Sequence, residues 1–339
     1  MRRYLLSSTA LPLAIALPLA LASASAGAQA ARAPAAAQAA RTAWGDPNLQ
    51  GAWSNATLTP LQRPSDLKDK EFFTPEEAKA YVTKRLAAAS GDENIEADKA
   101  RGNVGSYNDA WMDRGNDVVP TRRTSLVVDP KNGRVPPFTP DAQRQFDRDQ
   151  AYAAAHPADS PEDRYLTERC IVFGGGKAPM LPEPYNNNYY VVQTPDYVTI
   201  MAEINHDVRI IPLDGRPHLP SRVTQWVGDS RGHWEGDTLV VETTNQKTNR
   251  HFYGVQMLDS LMSDKFKVVE QFTRTAPDQI RYRATVSDPV FTSPWTVELF
   301  MHPQSGELVE YACHEGNYGL KGLLSAVREE EKRAAEGKK

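Results

Sequence analysis

Between residues 188 and 313, short runs of β-branched and aromatic residues alternate with turn residues, and a chain written this way has few folds open to it. The runs lie at 189–193, 197–203, 206–213, 223–227, 238–244, 265–274, 279–287, 295–302 and 308–313. Pro195-Asp196 and Asp214-Gly215 punctuate the first three, and 231–237, 275–278 and 303–306 read as hairpin loops. Strands joined this closely form an antiparallel meander. Such a sheet hides its edges by closing into a barrel or folding into a barrel-like sandwich of the lipocalin or calycin kind. No strand–helix–strand alternation argues for a parallel sheet. The expectation is a mainly β protein whose barrel domain spans 166–320.

The stretch 44–165 has a different character, rich in Pro, Asp, Asn and Arg and poor in apolar runs. Thr74-Pro75-Glu76-Glu77 is a helix start, with a capping hydroxyl, proline at the first helical position and acids in the first turn. Thr139-Pro140-Asp141-Ala142 is a second start, closed by Pro157. A short strand at 124–128 stops at the turn Asp129-Pro130-Lys131-Asn132-Gly133. With too few apolar residues for a core of its own, this half reads as a helical and extended wrap. A charged helix at 323–332 lies within a C-terminal segment, 321–339.

Residues 1–30 have the three parts of a secretory signal in order: Arg2 and Arg3, an apolar stretch from Leu5 to Ala22, and small-x-small cleavage sites ending at Ala28 or Ala30. Pro12 and Pro18 interrupt the apolar run, and no basic stop-transfer cluster follows, which favours cleavage over anchoring. The Arg2-Arg3 pair also loosely resembles a twin-arginine signal. Residues 31–43 read as a disordered leader. The expected location is periplasmic or secreted, with no integral membrane segment after cleavage. Removing the first 30 residues, with their two arginines and no acid, takes the net charge from -4 to -6. A mildly acidic body without a Lys/Arg block gives no electrostatic reason to expect nucleic acid or anionic membrane as a partner. A small molecule is the expected one.

Cys170 and Cys313 are the only cysteines. In an oxidising compartment two distant thiols are most simply a disulfide, worth about 4 to 5 kcal/mol for a loop of this length in the chain-entropy model. Neither belongs to the close pair that zinc sites use.

Three stretches carry the candidate chemistry. In the first, 205–218, strand alternation sets His206 and Val208 against Asp207 and Arg209, and His218 lies beyond the Asp214-Gly215 turn. The second, 226–237, is dense in polar groups and glycine around Trp226, Arg231 and Trp234. The third, 313–319, holds His314, Glu315, Asn317 and Tyr318 at a strand end, where sites are commonly built. The catalytic candidates are His314 as acid or base, Glu315 as its orienter, and His206. Arg209 and Asn317 are candidates to hold an oxyanion, and Asp207, His218, Trp226, Arg231, Trp234 and Tyr318 complete a ligand-binding set. His206, His218 and His314 have no recognised metal-ligand spacing, so no metal and no other cofactor is expected. A Gly-x-Ser-x-Gly elbow, a His-Glu-x-x-His pair, a P-loop and a dinucleotide fingerprint are all absent.

Four segments resemble the signature segments of a family of bacterial exported proteins without a settled function. They are Tyr185–Tyr189, the 207–218 stretch, Gly228-Asp229-Ser230-Arg231-Gly232-His233-Trp234-Glu235-Gly236-Asp237-Thr238-Leu239-Val240-Val241-Glu242-Thr243, and Tyr311-Ala312-Cys313-His314-Glu315-Gly316-Asn317-Tyr318. The likeness begins near Gly45-Asp46-Pro47 and implies that these polar segments belong to the family pattern, without supplying an activity. Two functions stay open. One is a cofactor-independent acid–base enzyme, a lyase, isomerase or hydrolase, acting on a small, partly aromatic substrate. The other is a lipocalin-type protein that binds a ligand and does no chemistry.

Overall fold

The computed structural model describes residues 41–89, 112–247, 262–304 and 306–337. The signal segment and most of the leader lie outside the described residues. Ten strands are present among the described residues: β1 (Gly51–Ser54), β2 (Val127–Asp129), β3 (Asn188–Gln193), β4 (Tyr197–Ala202), β5 (Val208–Pro212), β6 (Asp229–Glu235), β7 (Thr238–Thr244), β8 (Lys267–Ala276), β9 (Gln279–Ser287) and β10 (Trp295–Pro303). Nine of them run in the order β5-β4-β3-β1-β10-β9-β8-β7-β6, all pairs antiparallel, with β2 added on β10. The protein is thus the expected mainly β meander, closed as a barrel but for one seam. The hydrogen-bonded path ends at β5 and β6, which Arg209 and Ser230 join by a side-chain hydrogen bond.

Alternation decides what fills the barrel. Val198 and Ile200 of β4, Leu239 and Val241 of β7, Ile280 and Ala284 of β9, and Val297 and Leu299 of β10 all point inward and are buried. Two charged residues of β8, Glu270 and Arg274, share the inward face with Val268 and Phe272. Phe173–Leu181 then runs in against this lining. The Met180 N–H donates to the Tyr282 hydroxyl at 2.7 Å, and Gln246 Nε2 donates to the Ala178 carbonyl at 2.7 Å. The barrel interior is therefore filled by protein, and the cavity beside Trp295 leaves about 20 Å³, about the space of one water.

The N-terminal half is more than a wrap. β1 is a barrel strand between β3 and β10, and its Trp53 is buried in the core. Helix α1 (Pro75–Ala89) begins at the expected Thr74 cap, which proves to be a capping box: Thr74 Oγ1 accepts from the Glu77 N–H at 3.2 Å, and Glu77 accepts from the Thr74 N–H at 2.8 Å. Its neighbours Leu58, Phe73 and Val118 form a small separate core with Ala78. Helix α2 (Pro140–Ala155) is capped by Thr139, and Phe138 stacks on Phe291 at 5.4 Å to fix the approach to the barrel. Arg41, placed in the leader from sequence, pairs with Asp237 at 2.6 Å.

Four boundaries differ from expectation. The 231–237 loop is mostly strand, because β6 pairs with β7 from Asp229 to Glu235 and only Gly236-Asp237 turn. The 223–227 run is a turn region, where Asn245 Nδ2 donates to the carbonyls of Leu219, Pro220 and Val223. The 308–313 run is irregular, since the Val309 N–H bonds the Glu203 carboxylate instead of a ladder partner. Helix α3 (Tyr318–Glu336) starts earlier than 323 because Asn317 caps it, accepting from the Leu320 N–H at 3.3 Å. Cys170 and Cys313 form the expected disulfide, with Cα atoms 5.6 Å apart.

Candidate functional site

A dense polar cluster lies inside the barrel, on the seam. Arg209 of β5 is 3% exposed and reaches past β6 to Glu270 of β8, which is fully buried. It donates to both carboxylate oxygens, and its Nη2 also donates to Thr243 Oγ1 at 3.1 Å and Ser230 Oγ at 3.3 Å. The Tyr282 hydroxyl donates to Glu270 at 2.9 Å. Burial, reinforced by the Glu270 charge, pushes that phenol well above its usual range. Burial works against the Arg209 charge and Glu270 more than offsets it, so the guanidinium stays above its ordinary value. Both terminal nitrogens of Arg209 are occupied by partners within the core. Arg209, considered above for an oxyanion, instead ties the open edge β5 to β6, β7 and β8.

At one end of the barrel a second network faces solvent. His218 follows the turn after β5, and its Nδ1 lies 2.7 Å from Asp229 Oδ2 at the start of β6. Asp229 is 4% exposed. It also accepts from the Leu219 N–H at 3.0 Å and pairs with Arg231 Nη1 at 2.6 Å. On its other side, His218 Nε2 faces Glu242 Oε1 of β7 at 3.4 Å, and Glu242 Oε2 pairs with Lys267 of β8 at 3.2 Å. Both ring nitrogens therefore face carboxylate oxygens, and one of those carboxylates is buried and held by two other donors. A ring so fixed can pass a proton through Nε2 while Asp229 keeps Nδ1 in place.

His218 is also a wall of an open groove of about 610 Å³, lined further by Ser221, Thr244, Lys265, Lys267, Phe266 and Phe291. The groove joins a polar rim to two phenyl rings, as small-molecule sites commonly do.

The other sequence candidates are dispersed. His206 is exposed in the β4–β5 turn, with φ of 46°. Asp207, next to it, is largely buried, and that burial lifts its carboxyl to about 6 despite hydrogen bonds from Asn205 and the Phe173 N–H. Trp226 lies under the Lys247 ammonium, 4.4 Å from the ring centroid, against the small core of Leu166 and Val172. Trp234 packs on the main core. Arg231 serves Asp229 and the Pro217 carbonyl. His314 and Glu315 are exposed, Tyr318 is 80% exposed, and Asn317 is spent on capping α3 and on the Glu168 carbonyl at 2.8 Å. Among the described residues no three His, Cys, Asp or Glu groups lie close enough to hold a metal, so His206, His218 and His314 do not form a cluster. Sequence reading had His218 but not its partners: Asp229 and Glu242 are 11 and 24 residues away, and only the strand register brings them together.

No described helix is long and apolar enough to cross a membrane. No family profile matches the sequence, and no curated protein matches it. Among solved structures, the chain is similar to a point mutant of the fluorescent protein UnaG, at 13% identity and a TM-score of 0.21, over 42% of this chain and 86% of that one. That likeness is too slight to carry an inference about ligand or activity, and the fold class rests on the strand order itself.

Proposed function

We propose that this chain is an exported β-barrel protein that binds a small, partly aromatic molecule in the groove beside His218 and performs acid–base chemistry on it, as a lyase, isomerase or hydrolase. His218 carries the proton at Nε2, Asp229 orients the ring, Lys265 offers positive charge to an acidic part of the substrate, and Phe266 and Phe291 take its apolar part. The reading rests on one observation: a groove-lining histidine whose Nδ1 is held at 2.7 Å by a buried carboxylate. Orientation by a carboxylate is what a histidine needs to act repeatedly as acid and base.

A second reading, ligand binding without chemistry, is favoured by the Arg231 and Leu219 contacts to Asp229, which would be there if His218 were only a tie between the loop and β6. Incubating the mature protein with a mixed library of aromatic esters, hydroxy acids and unsaturated acids, followed by mass spectrometry, separates the two. Consumption of a compound by the wild type that falls at least about 100-fold in His218→Gln supports catalysis. A compound retained unchanged, equally by wild type and His218→Gln, supports binding alone.

A further inference from the structure

A different groove, of about 570 Å³, opens where the Tyr185–Tyr189 and Tyr311–Tyr318 segments meet. Its described lining contains Asp113, Glu203 and Glu310 and no lysine, arginine or histidine. Glu203 is 5% exposed, yet its partners are neutral: it accepts from Asn188 Nδ2 at 2.6 Å and from the Val309 N–H at 2.9 Å. Among the described residues no cationic side chain pairs with it. Burial, with the nearby Glu203 charge contributing, also raises Asp113 above its usual range.

Asn188 is the independent sign of a ligand. It is 8% exposed and lines the groove, and because its Nδ2 is committed to Glu203, the atom left over is Oδ1, which is buried without any hydrogen-bond partner. A buried acceptor without a donor is destabilising, because it has lost its water and gained nothing in exchange. The acceptor thus stands among carboxylates in a groove whose described lining carries no cationic side chain. Beside it the rings of Tyr185 and Tyr311 lie nearly parallel, 19° apart with centroids 6.3 Å from each other, and Phe173 packs edge-on behind Tyr311 at 5.4 Å. Ring faces attract cations. The Cys170–Cys313 disulfide holds the Tyr311 segment in place.

We propose that this groove binds a small organic cation carrying N–H donors, an alkylammonium or guanidinium group, whose charge sits against the Tyr185 and Tyr311 rings and whose N–H groups reach Asn188 Oδ1, Glu203 and Glu310. A bare metal ion fits less well, because no three of the described acidic groups converge. An organic cation needs no such convergence, since its donors spread over several ångströms.

Calorimetric titration of the mature protein with methylguanidinium and n-butylammonium, against urea, n-butanol and butyrate, tests this. Saturable binding of the cations and not of the neutral or anionic matches is expected, weakened by salt. Glu310→Gln, at an exposed position, and Tyr311→Leu are each expected to weaken it about threefold, whereas His218→Gln leaves it unchanged. Equal binding of urea or n-butanol would overturn the proposal. So would wild-type affinity for the cations in both Glu310→Gln and Tyr311→Leu, or binding of calcium where neither organic cation binds.

Discussion

Arg209 and Glu270 form a two-pronged ion pair inside the barrel, spanning from β5 to β8 across a seam that the β-ladder does not close. Two charges taken out of water are stabilising only while they hold each other. Removing one partner, as in Glu270→Ala, is expected to cost about 3 to 5 kcal/mol in urea unfolding because a buried guanidinium is left alone. The double replacement Arg209→Met/Glu270→Leu should recover most of that loss. A single replacement costing under about 1 kcal/mol would show that water reaches the pair and that the seam is open.

The seam is also a matter of space. A Cβ added to Gly232 of β6 would lie 2.8 Å from Ile211 Cγ2 and 2.9 Å from Leu213 Cδ2, on the β5 side. Gly232→Ala should therefore push the two edges apart, costing about 1 to 3 kcal/mol. Hydrogen exchange should quicken in β5 and β6 and not in β9. Unchanged exchange would mean that the two strands are not packed edge to edge.

Asp207 gives the barrel a pH dependence with a definite sign. Its folded carboxyl titrates at about 6 against an ordinary 3.8, so the folded state holds the proton more tightly and stability falls as pH rises through that window. Relative to Asp207→Asn, the wild type should lose about 2 kcal/mol between pH 4 and pH 6 and only a few tenths more above it. Parallel stability curves for the two proteins across this range would contradict the burial of the carboxyl.

The disulfide joins segments 143 residues apart. Cys170→Ser/Cys313→Ser is expected to lower the unfolding free energy by about 2 to 5 kcal/mol. It should also loosen the Tyr311 ring from Phe173, read as faster exchange at 309–317. A smaller loss with no local change would mean that the hydrophobic core alone fixes that segment.

What the sequence disclosed follows from which strands obey simple alternation. Strands β3 to β5 and β7 to β10 were legible because runs of β-branched and aromatic residues lie between recognisable turns, and in β9 and the first six residues of β8 buried and more exposed positions also alternate strictly. Strand β6 was hidden because its inward residues are Ser230, Gly232 and Trp234: the serine serves Arg209 and the glycine makes room at the seam, so the run reads as a loop. Strand β1 is four residues long, too short for a period to show. The runs at 223–227 and 308–313 have strand composition, but their backbone groups bond to Asn245 and Glu203. The candidate site was half legible. His218 stood out beyond a turn, whereas Asp229 and Glu242 acquire meaning only through the β6–β7 register. His314 and Glu315 drew attention as neighbours in sequence, and the structure leaves both on the surface.

The groove beside His218 is tested most directly by the crystal structure of the protein with the compound that it consumes or retains in the library experiment. The expected result is density for that compound against Phe266 and Phe291, with a reacting or polar atom within about 3.2 Å of His218 Nε2. Density inside the barrel in place of the Phe173–Leu181 segment, or at a surface remote from His218, would contradict it.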